Sequence, residues 1–254
     1  MLQAERLERI QEYLVTNKYA SIAELSEFFH TSPSTIRRSL RELEQKKIVE
    51  NIRGGAVLAG SGNTFEPPYS IKRQRNEAEK KRIAAYAASL ISGNCSIFLD
   101  ASSTVRELVQ TLRHKQDVTV CTNDVQIAAD LSLAPDLTVL VTGGVLRQGY
   151  YSLSGFFAEQ FIAHTQVDYA FMGIDAISPN NAFMLTNTEE VGIKRKIGQH
   201  SKELIILADH EKFNHSAFVR TWDFSEVSLA ITGKELPDNI YQEYLDLGLK
   251  IQRV

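Results

Sequence analysis

The chain has 254 residues, 43% of them hydrophobic and 23% charged, a composition that suits one small and one ordinary globular domain and excludes a disordered or fibrous protein. Its 28 Lys and Arg against 31 Asp and Glu give a net charge of −3, which excludes a protein that coats nucleic acid indiscriminately. Any such affinity must come from arrangement rather than bulk charge. In chain order, Leu7, Ile10 and Leu14 recur at helical spacing and predict a first helix ending near residues 16–18. Ser21 predicts the cap of a second helix, with Glu24 three residues on as in a capping box and Ile22, Leu25, Phe28 and Phe29 as its apolar side. His30-Thr31 reads as a turn. Ser32 or Ser34 then caps a third helix, with Pro33 tolerated in the first turn.

The third helix, Ser34 to Gln45, has two faces. At about 100° per residue, Ile36, Leu40 and Leu43 share a narrow stripe. Ser34, Arg37, Arg38 and Arg41 fall opposite. Hydroxyls and guanidiniums on one face suit phosphates and the acceptor edge of guanine in a major groove. A merely solvated surface helix would show the same periodicity, so the neighbouring elements decide. Ile48-Val49-Glu50 and Gly55-Ala56-Val57-Leu58 read as two short strands around Asn51-Ile52-Arg53-Gly54, placing Arg53 at a tip that fits a minor groove. Three helices and a two-stranded wing make a compact DNA-reading unit, with Ser32, Ser34, Thr35, Arg37, Arg38, Arg41 and Arg53 as its candidate contacts. Residues 1–60 hold nine Lys and Arg against eight Asp and Glu, so a single copy has little bulk charge to offer, and pairing of two copies would help.

Ala23-Glu-Leu25, Ser32-Pro-Ser-Thr-Ile-Arg-Arg-Ser-Leu40-Arg-Glu-Leu43 and Arg53-Gly-Gly-Ala56 together resemble the N-terminal domain of DeoR-type bacterial transcriptional regulators. Ser39 stands where that family typically has Asp, and Ile52 precedes the Arg-Gly-Gly. Neither change removes a donor from the expected DNA face.

Residues 59–70 are rich in Gly, Ser and Pro and lack periodicity, so the expected organisation is a DNA-binding domain over 1–58, a linker over 59–70 and a second domain over 71–254. The run Ile71–Arg82 holds six basic residues against two acidic ones. It predicts the start of a solvated helix whose apolar positions are Ile83, Ala84, Ala87, Leu90 and Ile91. Beyond residue 93 short apolar strands alternate with amphipathic helices. The strands are 96–99, 118–121, 137–141, 169–172 and 204–207. The helices carry Val105 to Leu112, Val125 to Leu131, and the stretch 188–200. This alternation predicts an α/β domain with a parallel sheet covered on both faces. Cys95 and Cys121 lie in these apolar runs without a Cys-x-x-Cys pair and read as buried free thiols of a reducing compartment. The N-terminus does not read as a signal peptide and no apolar run approaches a membrane span, so the expected location is the cytoplasm.

The five strand ends carry polar groups: Asp100-Ala-Ser102-Ser103-Thr104, Thr122-Asn123, Thr142-Gly143-Gly144, Gly173-Ile-Asp175, and Asp209-His-Glu-Lys212. One such end is an ordinary helix cap. Five on one rim point to a polar small-molecule site, because ligands of open parallel sheets bind beyond the carboxyl ends of the strands. Ser102, Ser103 and Thr104 at a helix start suit a phosphomonoester. There is no Gly-x-x-x-x-Gly-Lys-Thr to hold a nucleoside triphosphate. Lys194 and Lys212 add positive charge, and Asp100, Asp175 and Asp209 can accept from sugar hydroxyls. No catalytic residue, metal site or cofactor is expected.

The family resemblance extends here through Asn76-Glu-Ala-Glu-Lys-Lys-Arg-Ile-Ala84, Leu99–Thr104, Thr119–Asn123, Thr142–Gly144 and Leu207–Phe213. It implies an effector domain similar in fold to ribose-5-phosphate isomerase, a phosphorylated sugar as effector, operator DNA as partner, and a homodimer or homotetramer. Ala101 replaces a commoner glycine. Ile231-Thr-Gly233 departs from a usual Thr-Asp, so that loop is not expected to contribute. The competing class is a sugar-phosphate isomerase with an appendage, using Asp100, Asp175 or Glu189 as base and Lys194 or Lys212 as electrophile. A third reading gives the α/β domain a purely oligomerising role. The complete winged helix favours the regulator over the first, and the polar rim favours a ligand-sensing domain over the second.

Overall fold

The computed structural model describes residues 3–17, 19–46, 48–59, 63–64, 66–67, 69–180 and 182–254, which fold as two units, Met1–Arg75 and Asn76–Val254. Of the expected linker, Gly60, Ser61, Gly62, Phe65 and Pro68 lie outside the described residues, as does Lys18 at the expected end of the first helix.

The first unit runs α1 (Gln3–Asn17), β1 (Tyr19–Ser21), α2 (Ile22–Phe28), α3 (Pro33–Gln45), β2 (Val49–Ile52), β3 (Gly55–Leu58) and α4 (Tyr69–Gln74). Ser21 begins α2 with a complete capping box: its side chain accepts from Glu24 N–H at 3.0 Å, and the Glu24 carboxylate accepts from Ser21 N–H at 2.7 Å. His30 reverses the chain at φ 48, and Ser32 caps α3 with Pro33 in its first turn. Leu7, Ile10, Leu14, Leu25, Phe29, Ile36, Leu40 and Leu43 form one core, each large apolar side chain contributing about 1.5–3 kcal/mol of transfer free energy. β1 pairs antiparallel with β3, and β3 with β2, so the wing has three strands rather than two. Tyr19-Ala-Ser21 is too short to show an alternating pattern.

The second unit begins with α5 (Glu77–Ser89). The single helix expected from Ile71 onward is broken into α4 and α5 at Asn76, which takes φ 53, outside the helical region. Then follow β4 (Cys95–Leu99), a 3-10 turn (Val105–Leu108) running into α6 (Val109–Leu112), β5 (Val118–Thr122), α7 (Val125–Leu131) and β6 (Leu137–Val141). A hairpin of β7 (Val145–Leu146) and β8 (Leu153–Ser154) leads to α8 (Phe156–Ala163) and β9 (Val167–Gly173). β10 (Ala176–Ser178), β11 (Ala182–Leu185), α9 (Val191–Gln199), β12 (Ser201–Leu207), β13 (Val219–Asp223), β14 (Leu229–Thr232), α10 (Asp238–Asp246) and β15 (Ile251–Arg253) complete the chain.

Seven strands form one parallel sheet in the order β15-β14-β12-β9-β4-β5-β6. Alternate residues supply its two cores. Ile97, Leu99, Phe171, Ile205 and Leu207 join Ile83, Ala87, Val105 and Ile127 on one face, while Phe98, Ala170, Met172, Leu204 and Ile206 join Ile162, Ile193 and Ile197 on the other. A small antiparallel sheet, β10-β11-β13, packs on the second face. The chain moves outward from β4 through β5 to β6, then returns to β9 on the opposite side of β4. The strand order therefore reverses between β4 and β9, which fixes where a crevice opens at the carboxyl ends. No described helix is long and apolar enough to cross a membrane.

Candidate functional site

α3 presents its arginines as its periodicity demands. Ile36, Leu40 and Leu43 are buried, and Ser39 with them, while Ser32, Ser34, Arg37, Arg38 and Arg41 are exposed and Thr35 is half-buried. Ser39 is held by Arg6, whose Nε donates to its hydroxyl at 2.8 Å. The acidic residues near this face are already engaged. Glu42 accepts from Lys46 at 3.0 Å and from Gln3 at 2.6 Å, and Glu44 accepts from the backbone and side chain of Asn51 at 3.2 and 2.7 Å, tying helix to wing. Among the described residues, none of Arg37, Arg38, Arg41 and Arg53 has a carboxylate within 4 Å, so four guanidiniums stay available to an external polyanion. Gly54 takes φ 91 at the wing tip beside exposed Arg53, and its carbonyl accepts from Ile22 N–H at 2.8 Å.

In the second unit the five polar strand ends do share one rim, because β12, β9, β4, β5 and β6 are adjacent and parallel. At the reversal point, Asp100 follows β4 and is 1% exposed. Its Oδ2 accepts from Gly173 N–H at 3.0 Å and from the ammonium of Lys194, which is itself buried and also donates to Gly173 O at 3.2 Å. Burial alone pulls the Lys194 ammonium down, but the charges of Asp100, Glu190 and Asp175 and the bond to Asp100 prevail and hold it above its ordinary range. The other Asp100 oxygen, Oδ1, is buried with no hydrogen-bond partner among the described residues. Ser102 sits directly over Gly173: a Cβ there would lie 2.2 Å from Ser102 Oγ, so glycine is needed for the two loops to approach. Ser103 and Thr104 are buried beside it, and Thr104 N–H donates to Ser102 Oγ at 3.3 Å. The helix expected at these residues starts at Val105, as a 3-10 turn.

Several rim residues spend their polar groups on the protein. Thr122 Oγ1 donates to Leu99 O at 2.7 Å and accepts from Asp124 N–H at 3.0 Å. Asn123 accepts from Ala101 N–H at 3.1 Å and donates to Leu153 O at 3.4 Å, bracing the Asp100 loop against the hairpin. Asp175 accepts from both the backbone and hydroxyl of Thr186 at 3.0 and 2.9 Å. Asp209 accepts from Asn76 at 3.3 Å and Glu211 N–H at 3.2 Å. Gly143 and Gly144 are exposed between β6 and β7. Lys212 is half-buried, with no carboxylate within 4 Å among the described residues.

Comparison with known proteins places these two arrangements. Residues 6–61 match the DeoR-like helix-turn-helix domain and residues 75–234 the DeoR C terminal sensor domain. The chain belongs to the DeoR family. This DeoR regulator is 30% identical to the HTH-type transcriptional regulator GolR of Listeria innocua, over 99% of both chains. It is 28% identical to the glycerol-3-phosphate regulon repressor of Escherichia coli, again over 99% of both, and 31% identical to the HTH-type transcriptional repressor GlcR of Bacillus subtilis, over 97% of this chain and 94% of that one. Among solved structures, ribose 5-phosphate isomerase A of Methanocaldococcus jannaschii superposes with a TM-score of 0.41 at 15% identity, over 54% of this chain and 55% of that one. The protein is a DNA-binding transcriptional regulator.

The regulator's rim also contains residues that the sequence did not single out. Glu79 of α5 is buried, accepting from His210 N–H at 2.8 Å, from Gly233 N–H at 3.2 Å and bonding His210 Nδ1 at 2.8 Å. Burial pushes its carboxyl up, against the His210 bonds that pull it down. The Gly233 loop thus joins the rim through Glu79. Glu190 accepts from Ser152 Oγ at 2.6 Å and lies 3.5 Å from Arg147. Their signal was weak: Glu79 meets a turn 131 residues away.

Proposed function

We propose that this DeoR regulator is a repressor of sugar-metabolism genes whose second unit senses a phosphorylated sugar. In this reading residues 1–58 bind operator DNA as part of a homodimer or homotetramer, 59–70 link, and 71–254 take the effector, all within the cytoplasm. The carrying observation is the orphaned Asp100 Oδ1. A buried acceptor without a partner costs about 1–3 kcal/mol, and a sugar hydroxyl directed at the β4–β9 reversal satisfies it. The small-residue turn at Ser102, Ser103 and Thr104 supplies donors for a phosphate, and Lys212 supplies charge from the β12 end. Asp100 receives the hydroxyl while Lys194 holds the carboxylate in place. Thr122, Asn123, Gly143, Gly144, Asp175 and Asp209 shape the surrounding loops and complete the proposed effector site. The names of the relatives, repressors of a glycerol-3-phosphate regulon among them, support a phosphorylated effector.

Such a ligand acts on DNA only by binding two arrangements of the protein unequally, and a typical coupling of about 1–3 kcal/mol changes operator affinity roughly 5–150-fold. Thermal shift against a panel of sugar phosphates identifies the effector. Ser103→Glu places a fixed negative charge at the phosphate position, and Lys212→Gln is a milder companion at an incompletely buried residue. Both are expected to weaken the thermal shift and the operator response while operator binding persists. An unchanged operator response in both variants refutes the pocket.

A further inference from the structure

We propose that the open edge strand β6, with the β7–β8 hairpin and the start of α8, is the surface through which two copies of this chain associate. The proposal deepens the repressor reading, in which paired operator half-sites call for two-fold symmetry.

The two edges of the seven-stranded sheet differ. β15 is three residues long and guarded: Arg253 donates to Asp238 at 2.6 Å and to Leu236 O at 3.1 Å and lies 4.1 Å over the Tyr241 ring. β6 is five residues, Leu137-Thr-Val-Leu-Val141, with no proline or charge to blunt it. Leu140 and Val141 are exposed on it, at 40 and 42%. Long uncharged edges are template surfaces that folded proteins otherwise protect.

The exposed apolar surface continues past the strand. Val145 is 69% exposed, and its side chain lies beside Gly155, which precedes α8. There Phe156 and Phe157 are 70 and 71% exposed. Aromatic side chains of about 150–250 Å² leave roughly 200–350 Å² in solvent between these two alone. With Leu140 of β6, which shares the α8 face of the sheet, and Val145 and Leu146 of β7, the patch reaches the roughly 300–600 Å² that is the largest apolar patch of a typical monomer. Two copies face to face bury twice that. With a polar rim this meets the approximately 1,200–2,000 Å² of a specific interface.

A second copy is the occupant that fits. Across a two-fold axis β6 runs antiparallel to its own copy, so unpaired backbone donors meet acceptors and apolar residues meet themselves. Residues 137–146 contain no charged side chain, so self-association brings no like charges together along this run. The same hairpin places Ser152 and Arg147 against Glu190, so interface and rim share one loop.

The test is the molar mass of the full chain by sedimentation equilibrium at micromolar concentration, without DNA or ligand. Wild type is expected at twice or four times the chain mass. Val141→Lys with Val145→Lys is expected to halve that, or to reduce it to the monomer, with an unchanged far-ultraviolet circular dichroism spectrum and a melting temperature lowered by the lost association. Phe156→Ser with Phe157→Ser serves as an independent second variant on the helix start. Affinity for a paired operator should fall at least about 10-fold in either variant while affinity for one half-site stays the same. A monomeric wild type overturns the proposal. So does a folded variant that keeps the wild-type mass. Since the mass is read without operator or effector, either result is independent of whether the repressor reading holds.

Discussion

The two functional surfaces treat charge in opposite ways. On α3 and the wing, Arg37, Arg38, Arg41 and Arg53 are exposed and without acidic partners, because Glu42 and Glu44 are committed to Lys46, Gln3 and Asn51. On the sheet rim, Asp100 and Lys194 are buried and bound to each other. In the proposed reading, the difference follows from what each surface meets. DNA is a large polyanion that approaches through solvent, and fixed exposed cations neutralise it directly. A small polar ligand enters a crevice where isolated charges are too costly to maintain, so each charge needs a partner before the ligand arrives. Stability should therefore depend strongly on the rim's charges and hardly at all on those of the recognition helix.

The sharpest way to break this contrast is Lys194→Met. It leaves Asp100 buried beside Gly173 without its cation, and breaking a buried pair costs about 3–5 kcal/mol. Asp100→Asn in the same chain should recover much of that loss, because removing both charges is close to neutral. Urea denaturation of the two single variants and the double variant measures the coupling. Additive effects would mean that the pair does not act as a unit.

A smaller effect of opposite sign is expected at Asp124. It caps α7, accepting from Gln126 and Ile127 N–H at 2.7 and 3.0 Å, and is fully buried with Oδ2 unpartnered. Burial raises its carboxyl from 3.8 to about 6, although those two hydrogen bonds and Arg106 pull it down. Since the folded pKa exceeds the ordinary one, the folded state binds the proton more tightly. Its contribution is fully present below about pH 4 and is lost as pH rises through about 6. Asp124→Asn keeps the capping oxygen and removes the charge, so it should stabilise the protein at pH 7.5 by up to about 3 kcal/mol. The gain should vanish toward pH 4. A gain independent of pH would assign the effect to packing instead.

Much of this contrast was legible in the sequence. The Ile36/Leu40/Leu43 stripe, the Ser21–Glu24 capping box and the five principal strands are local patterns, and local patterns survive folding. What the sequence could not show is how the polar groups pair. The Asp100–Lys194 contact spans 94 residues and Glu79–His210 spans 131, and no periodicity encodes either. Thr122, Asn123 and Asp175 lie at strand ends that share one rim, yet their side chains brace loops. β14 and β15, of four and three residues, were too short to show a pattern and extend the sheet beyond what was foreseen.

The least effect on stability, and the strongest separation of the two surfaces, belongs to Arg37→Ala and Arg38→Ala. Both side chains are exposed on the face opposite Ile36, Leu40 and Leu43, and neither has a carboxylate within 4 Å among the described residues. Surface changes of this kind usually alter stability by no more than about 0.5 kcal/mol. Operator recognition should respond quite differently. An arginine that reads guanine contributes about 1–3 kcal/mol of discrimination at its base pair, whereas one that contacts phosphate weakens all sequences alike and reduces the salt dependence by about one unit of slope. Titrating specific and scrambled duplexes at several salt concentrations therefore assigns each arginine its role. Loss of discrimination with an unchanged salt slope marks base reading; uniform weakening with a shallower slope marks phosphate contact. Wild-type affinity for both duplexes at every salt concentration would show that α3 does not enter the groove by this face.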